Sequence, residues 1–246
     1  MVVAAPDPPE VFALLAHPVR WHVLDELGRS DRTVGELTTL LDTKQSLVSY
    51  HLSLLNEAGL VTSRSSSADR RDRYYAVDTE ACEAQLDAGL RALRTGLTVS
   101  STEPSRTRQQ RVLFLCTGNS ARSQIAEALA NAWPGGAFKA FSAGSHPKEL
   151  HPNAVRVLRK RGIDISGVRT KHLDEFANRR FDLVITLCDK VREVCPPFPD
   201  RPTAVHWSIA DPALERYPAF EALADDIERR LRGLLHRLPL RSTGKR

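Results

Sequence analysis

Apolar positions in the first part of the chain recur every three or four residues. Over 19–27 and 34–41 this spacing predicts two amphipathic helices. A third helix follows, with Thr43 or Ser46 as its N-terminal cap and Gly59 at its end. The first part therefore begins as a helical bundle in which the third helix follows the second after a short turn.

The pattern then changes to two short strand-like runs, 60–64 and 73–77, around a polar tip. A further helix starts at Thr79 and carries one apolar stripe, which suits either a dimer interface or packing inside the monomer. This order of elements predicts a winged helix-turn-helix. The leucines of the stripe are Leu86, Leu90, Leu93 and Leu97.

In the second part, strand-like and helix-like segments alternate, which favours a parallel sheet. The predicted strands span 112–116, 138–142, 182–187 and 204–207, and the predicted helices span 121–132, 153–161 and 220–234. Between the two parts, residues 98–110 are mostly polar and include a proline, which predicts a flexible linker. The fold class is therefore α/β: a winged helix-turn-helix domain over 1–97, the linker, and a four-stranded parallel-sheet domain over 111–246.

The distribution of apolar and basic residues indicates in which cellular compartment the protein is expected. No apolar run approaches the roughly 18 residues that a membrane span needs, and the N-terminus has no basic segment before an apolar core. We therefore expect a cytoplasmic protein without membrane contact. In that compartment the four cysteines are expected to be catalytic, metal-binding or redox-active rather than paired in structural disulfides.

The net charge of +5 is unevenly distributed. Residues 1–100 contain 10 Lys and Arg against 14 Asp and Glu, whereas residues 101–246 contain 25 against 16. The winged-helix half is thus the acidic half. The overall basicity therefore gives no support for nucleic-acid binding, which must depend on the local placement of positive side chains.

A cysteine follows the first predicted strand of the second part, in the sequence VLFLCTGNSARS over 112–123. The strand delivers Cys116 to a tight loop that opens into a helix, so loop N–H groups and the helix N-terminus form a cradle for an anion. The helix dipole and Arg122 favour the thiolate form of Cys116, and the guanidinium can bind two oxygens of a tetrahedral oxyanion. The predicted oxyanion-binding residues are Thr117, Gly118, Asn119, Ser120, Ala121, Arg122 and Ser123.

This Cys-x5-Arg-Ser loop resembles that of the low-molecular-weight phosphotyrosine phosphatase fold, and the resemblance covers most of 111–238. Further matching stretches are FSAG at 141–144, GIDIS at 162–166 and the Asp-Pro pair at 211–212. The resemblance implies that Asp211 is the general acid that protonates the leaving group.

Two more cysteines distinguish between the subfamilies of this fold. Cys188 ends a predicted core strand, and Cys195 follows seven residues later. This arrangement resembles the thioredoxin-coupled arsenate reductases, which implies a relay. Cys116 attacks arsenate, Cys188 attacks Cys116 and releases arsenite, and Cys195 moves the disulfide outward towards thioredoxin or a small thiol. The polar segment 189–194 is expected to lie at the surface and move.

The same resemblance implies a structural potassium ion. Asn119, Glu127, Ser142 and Asp164 fall at the matching positions and carry oxygen ligands. Glu127 is equally well explained as a solvated residue on its helix.

Residues 11–97 resemble the ArsR-type winged-helix repressors, through AHPVR at 16–20 and QSLVSYHLSLLNEAGLV at 45–61. The resemblance implies a homodimer that binds a double-stranded DNA operator, with polar residues of the third helix at the base edges and basic residues at the phosphates. The predicted DNA-binding residues are Lys44, Gln45, Ser46, Ser49, Tyr50, Arg64, Arg70, Arg71 and Arg73.

Arsenic-sensing repressors of this type commonly carry a cysteine pair at the helix before the recognition helix, but residues 33–42 contain no thiol. We therefore interpret Cys82 as a packing residue. The leading hypothesis is arsenate reduction combined with DNA binding in one chain. The alternatives are a phosphatase acting on phosphate esters with Cys116, Arg122 and Asp211, and a transcriptional sensor that binds an oxyanion or senses oxidants without turnover.

Overall fold

A computed structural model describes residues 9–92 and 109–237, which divide into two compact units. Most of the predicted linker, 98–108, lies outside the described residues, as do Leu93, Leu97 and the segment 238–246. Gln110, which the sequence assigned to the linker, is the first residue of a strand. Within the described ranges, no helix combines the length and the apolarity that crossing a bilayer requires.

The first unit is a winged helix-turn-helix, as predicted. Its buried core consists mainly of aliphatic side chains from four of the helices, among them Val23, Leu37, Val48 and Leu55. Its helices are α1 (Glu10–Leu15), α2 (Pro18–Arg29), α3 (Val34–Leu40), α4 (Gln45–Glu57) and α5 (Thr79–Ala92), and its strands are β1 (Arg32–Thr33), β2 (Val61–Ser65) and β3 (Arg73–Val77).

Two features of this unit differ from the sequence prediction. The strands form a three-stranded antiparallel sheet in the order β1-β3-β2, although only β2 and β3 were predicted. The cap of the third helix was wrong as well: α4 begins after Lys44, which makes no side-chain capping bond. The capping box lies at α3. The side chain of Thr33 accepts from the backbone N–H of Glu36, and the side chain of Glu36 accepts from the backbone N–H of Thr33.

Part of the leucine stripe on α5 packs inside the same unit. Leu86 contacts the core, and Gly89 lies so close to Phe12 of α1 that an added Cβ would come within 2.9 Å of the ring. The described part of α5 therefore contributes to the fold of its own unit.

The second unit is an α/β domain with a four-stranded parallel sheet in the order β5-β4-β6-β7. The predicted alternation of strands and helices is confirmed. Its strands are β4 (Gln110–Cys116), β5 (Phe138–Gly144), β6 (Leu183–Thr186) and β7 (Thr203–His206), and its helices are α6 (Arg122–Asn131), α7 (Pro152–Arg159), α8 (Asp189–Glu193) and α9 (Tyr217–Arg237).

The central strand β4 is fully buried from Val112 to Cys116, because neighbouring strands and covering helices enclose both faces of the sheet. β5 lies on one side of β4 and β6 on the other, so the order of strands reverses at β4. In open α/β sheets, ligands bind at the carboxyl ends of the strands beside such a reversal. Cys116, the last residue of β4, therefore lies where a binding site is expected.

Candidate active site and nucleic-acid-binding surface

The loop from Cys116 to Ala121 joins the end of β4 to the start of α6. Asn119 adopts a left-handed backbone conformation with φ of 46°, which turns its N–H towards the Cys116 sulfur at 3.3 Å. The neighbouring strand leaves room for this turn, since an added Cβ on Gly144 would lie 2.6 Å from the carbonyl oxygen of Thr117. The FSAG stretch therefore needs glycine at position 144 for a steric reason, which its sequence position alone did not indicate.

The Cys116 sulfur is buried and lies 3.0 Å from the hydroxyl oxygen of Ser123 in the first turn of α6. That hydroxyl oxygen accepts a hydrogen bond from the side-chain amide of Asn119 at 2.9 Å. With its oxygen already accepting, Ser123 can direct its proton to the sulfur. This arrangement places a hydrogen-bond donor against the Cys116 sulfur.

Arg122 is buried at the start of α6, and its guanidinium faces the loop that follows β7. One nitrogen donates to the carbonyl oxygen of Ile209 at 3.0 Å, and the other donates to the Asp211 carboxylate at 2.8 Å. Asp211 is more than half exposed. The carboxylate and the carbonyl thus fix the orientation of the guanidinium, and an oxyanion in the loop would compete with Asp211 for Arg122.

A second buried thiol reaches the same loop. The sulfur of Cys188 lies 3.2 Å from the hydroxyl oxygen of Thr117, so the ends of β4 and β6 bring the two predicted sites together. Cys195 is half-buried, and its sulfur lies 3.8 Å from the carbonyl oxygen of Pro196. Burial raises the pKa of the Cys195 thiol.

From the sequence we expected the segment between these two thiols to lie at the surface and move. The structure instead has a helix there. Residues 189–193 form the helix α8, in which Val191 is buried. The first residue of the helix, Asp189, accepts a hydrogen bond from Ser208 at 2.7 Å and contacts the buried His206 at 3.1 Å. Sequence reasoning missed this cluster, because a polar run beside a cysteine gives no indication of a partner on β7.

Of the four residues predicted to bind potassium, Asn119, Glu127 and Ser142 meet behind the loop. Asp164 does not join them, since its carboxylate accepts from the backbone of Ser166 at 2.9 Å and is largely exposed. The three residues that meet also fail to surround a cation with oxygen ligands alone. The amide nitrogen of Asn119 faces Ser142 at 2.8 Å, and the ammonium of Lys171 lies 2.9 Å from Glu127. The group therefore does not fit a potassium ion.

In the first unit, the polar residues predicted to contact base edges lie on the exposed face of α4. The predicted phosphate-contacting residues are exposed or half-buried at the start of α4, on the wing strands and at the wing tip. Exposed apolar surface accompanies them, with Tyr50 at 59% and Leu47 at 39% exposure. The exposed residues on α4 are Gln45, Ser46, Leu47, Ser49 and Tyr50, those elsewhere are Lys44, Arg70, Arg71 and Arg73, and Arg64 is half-buried.

Cys82 lies in the first unit, against its core. Its thiol contacts the carbonyl oxygen of Leu60 at 3.6 Å. Burial and the carboxylate of Asp78 raise the pKa of Cys82 to about 11. A thiol that stays protonated at neutral pH is a poor ligand for trivalent arsenic, which agrees with its interpretation as a packing residue.

Comparison with known proteins assigns the two halves separately. A model described as MarR family matches residues 17–72, so the N-terminal regulator domain is matched under this name rather than under ArsR. Proteins named arsenate reductase include one from Brevibacillus brevis, 41% identical over 121 residues, which are 49% of this chain and 90% of that protein. Another, from Halalkalibacterium halodurans, is 37% identical over 127 residues, which are 49% of this chain and 91% of that protein.

A solved structure of an arsenate reductase from Archaeoglobus fulgidus is 31% identical, with a TM-score of 0.43, and the match covers 51% of this chain and 98% of that one. A model described as low molecular weight phosphotyrosine protein phosphatase matches residues 111–242, which is more than half of the chain. The chain therefore belongs to the low molecular weight phosphotyrosine protein phosphatase family.

Proposed function

We propose that the α/β unit reduces arsenate to arsenite with Cys116, Cys188 and Cys195. The observation that carries this proposal is the second buried thiol at the anion loop, 3.2 Å from Thr117. Hydrolysis of a phosphate ester needs one nucleophilic thiol and an acid, whereas reduction of arsenate needs two electrons, which a second thiol can supply. The relatives named arsenate reductase support the same assignment.

The first step uses the loop and Arg122. Arsenate binds to the loop N–H groups and displaces the Asp211 carboxylate from the guanidinium, which lies 2.8 Å away in this structure. The Cys116 thiolate then attacks arsenic and forms a sulfur–arsenic bond, and one arsenic oxygen leaves as water. Asp211, freed from Arg122 and exposed to solvent, takes up a proton from water and donates it to that oxygen.

The second step transfers the electrons. The Cys188 thiolate attacks the Cys116 sulfur, a disulfide forms, and the electron pair of the sulfur–arsenic bond stays on arsenic, which leaves as arsenite. Cys195 then attacks Cys188, so the disulfide moves to Cys188–Cys195 and the Cys116 thiolate is restored. Thioredoxin or a small thiol reduces that last disulfide. Since α8 separates the two cysteines, this transfer requires α8 to unfold or shift.

Replacing Cys188 with serine separates the two chemistries of this loop. The variant should form the arsenate adduct on Cys116 but lack the thiol that resolves it, so multiple turnover of arsenate should stop. Hydrolysis of p-nitrophenyl phosphate uses Cys116, Arg122 and Asp211 but not Cys188, so it should persist at whatever level the parent shows. Both activities are measured on one preparation, with NADPH consumption coupled through thioredoxin and thioredoxin reductase.

Cys82→Ser serves as the matched control, because that thiol packs against the core of the other unit. It should leave both activities unchanged. If Cys188→Ser keeps parental arsenate turnover, the unit is a single-cysteine reductase or a phosphatase with incidental arsenate chemistry.

For the first unit we propose operator DNA binding as a homodimer. The polar exposed face of α4 suits the major groove, and the arginines of the wing suit phosphates. The acidic balance of residues 1–100 does not oppose this, because phosphate binding depends on nearby charges and the acids can face away from the DNA.

Replacing Arg70, Arg71 and Arg73 with alanine should weaken binding to all DNA sequences. The slope of log affinity against log salt should fall by about 1 for each phosphate that an arginine no longer neutralises. Gln45→Ala should instead relax sequence preference and leave the salt slope unchanged. Fluorescence anisotropy over a salt titration, on the promoter of the protein's own gene and on an unrelated duplex, measures both quantities.

The control replaces Arg29 and Arg91, two exposed arginines on other helices of the same unit, with alanine. These changes should have little effect on the slope. Absence of binding to the promoter at low salt and micromolar protein would argue against a repressor role.

A further inference from the structure

An ion pair lies behind the anion loop, in the group of residues where the family resemblance places a potassium ion. The ammonium of Lys171 is 2.9 Å from the Glu127 carboxylate, and the two side chains are only 14% and 20% exposed. A carboxylate this far from water needs a positive partner. In this chain that partner is a side chain of the protein.

Glu127 is also the acceptor for a chain of hydrogen bonds. The hydroxyl of Ser142 donates its one proton to this carboxylate, so towards Asn119 the Ser142 oxygen can only accept, and it accepts from the amide nitrogen at 2.8 Å. The other hydrogen of this amide goes to Ser123 at 2.9 Å. A carboxylate can only accept, which fixes the direction of donation along the whole chain.

Lys171 also fixes the opposite end of the Asn119 side chain. Its backbone N–H donates to the amide oxygen of Asn119 at 2.7 Å, and Gln124 donates to the same oxygen at 3.1 Å. All four hydrogen-bonding positions of the Asn119 amide are therefore used. The amide cannot turn over, so Ser123 receives a hydrogen bond and its own proton is directed to the Cys116 sulfur at 3.0 Å.

We propose that the ammonium of Lys171 takes the place of a bound monovalent cation and acts as a positioning residue, holding Glu127 as the fixed acceptor that orients Ser123 towards Cys116. This inference deepens the proposed function, because it concerns the nucleophile of the same site. It predicts a thiol whose reactivity does not depend on potassium. Arsenate is not needed to test it.

The test measures the rate at which iodoacetamide alkylates Cys116 in the full chain, from pH 5 to 9 in a buffer without oxyanions. Peptide mass spectrometry quantifies the alkylated Cys116. In Lys171→Met the alkylation rate at pH 7 should fall by about tenfold, because the hydroxyl of Ser123 is no longer held towards the sulfur. Lys160→Met is the matched control, since its 2.9 Å ion pair with Glu221 lies on the surface. That variant should keep the parental profile.

Exchanging potassium chloride for choline chloride at equal ionic strength should not change the parent. In Lys171→Met, where the carboxylate no longer has a positive partner, potassium should increase the rate. The proposal is overturned if the parent responds severalfold to potassium or if Lys171→Met keeps the parental profile. These results are independent of arsenate turnover, so an inactive reductase would not affect them.

A second variant covers the case in which Lys171→Met fails to fold. Lys171→Met/Glu127→Gln removes both charges, so the thermal unfolding midpoint should stay near that of the parent. A glutamine can present its NH2 group to Ser142, and the direction of the chain is then no longer fixed. Cys116 alkylation should remain severalfold slower than in the parent. Recovery of both stability and parental reactivity would mean that the pair is purely structural.

Discussion

Replacing Arg122 with lysine should lower kcat/KM for arsenate by about 10²- to 10³-fold, the range seen when one donor to a developing oxyanion is removed. The guanidinium donates to Ile209 through one nitrogen and to Asp211 through the other, so its orientation is set before the substrate arrives. An ammonium has neither the planar fork nor the reach to make both hydrogen bonds. Hydrolysis of p-nitrophenyl phosphate should fall by a similar factor, since both substrates use the same cradle.

Arg161→Lys provides the control for this substitution. Arg161 makes ion pairs with Asp225 and Glu228 of α9, and both partners are partly exposed, so a lysine should be tolerated there. Binding is measured separately, from the protection of Cys116 against iodoacetamide by phosphate. If Arg122→Lys retains arsenate turnover within tenfold of the parent, Arg122 does not clamp the oxyanion and the loop N–H groups alone bind it.

The sequence predicted the elements that depend on local patterns. Five apolar residues ending in Cys116 are typical of a buried strand, and a cysteine, five residues and an arginine before a helix indicate the loop. The two-residue strand β1 was missed because its pairing with Tyr74 and Tyr75 comes from tertiary contacts, not from its own composition. Periodicity has no meaning over two residues.

The parts of the site that could not be predicted join residues far apart in the chain. Lys171 is 44 residues from Glu127, and nothing in the sequence near either one indicates the ion pair. Asp164 was assigned to the group by its position in a matching stretch, but its carboxylate binds its own turn at Ser166. α8 was predicted as a surface segment because its residues are mostly polar, although its first residue is anchored to Ser208. Each of these contacts is set by the packing of distant elements.

Replacing Cys195 with serine should stop the relay after one turnover. Cys116 and Cys188 remain, so arsenate is reduced once and one equivalent of arsenite is released. The disulfide between Cys116 and Cys188 then has no internal thiol to attack it. In this structure both cysteines are buried, at 2% and 1% residue exposure, so thioredoxin should reduce their disulfide slowly.

In the parent, the step that uses Cys195 should depend on pH. Burial raises the pKa of this thiol, so its thiolate fraction is low at neutral pH and grows as the pH rises towards that raised value. Transfer of the disulfide from Cys116–Cys188 to Cys188–Cys195 should therefore speed up with rising pH. Acid quenching of single-turnover reactions, followed by alkylation and peptide mapping, measures the amounts of both disulfides over time.

Cys82→Ser is the control for this experiment also, and it should show the parental sequence of disulfides at every pH. In Cys195→Ser, arsenite release should reach one equivalent per chain and then stop, and the mapped peptides should contain the Cys116–Cys188 disulfide. Continued arsenate turnover in this variant with thioredoxin as reductant would show that thioredoxin attacks the first disulfide directly. Cys195 would then have no part in the reaction, and the rearrangement of α8 would not be needed.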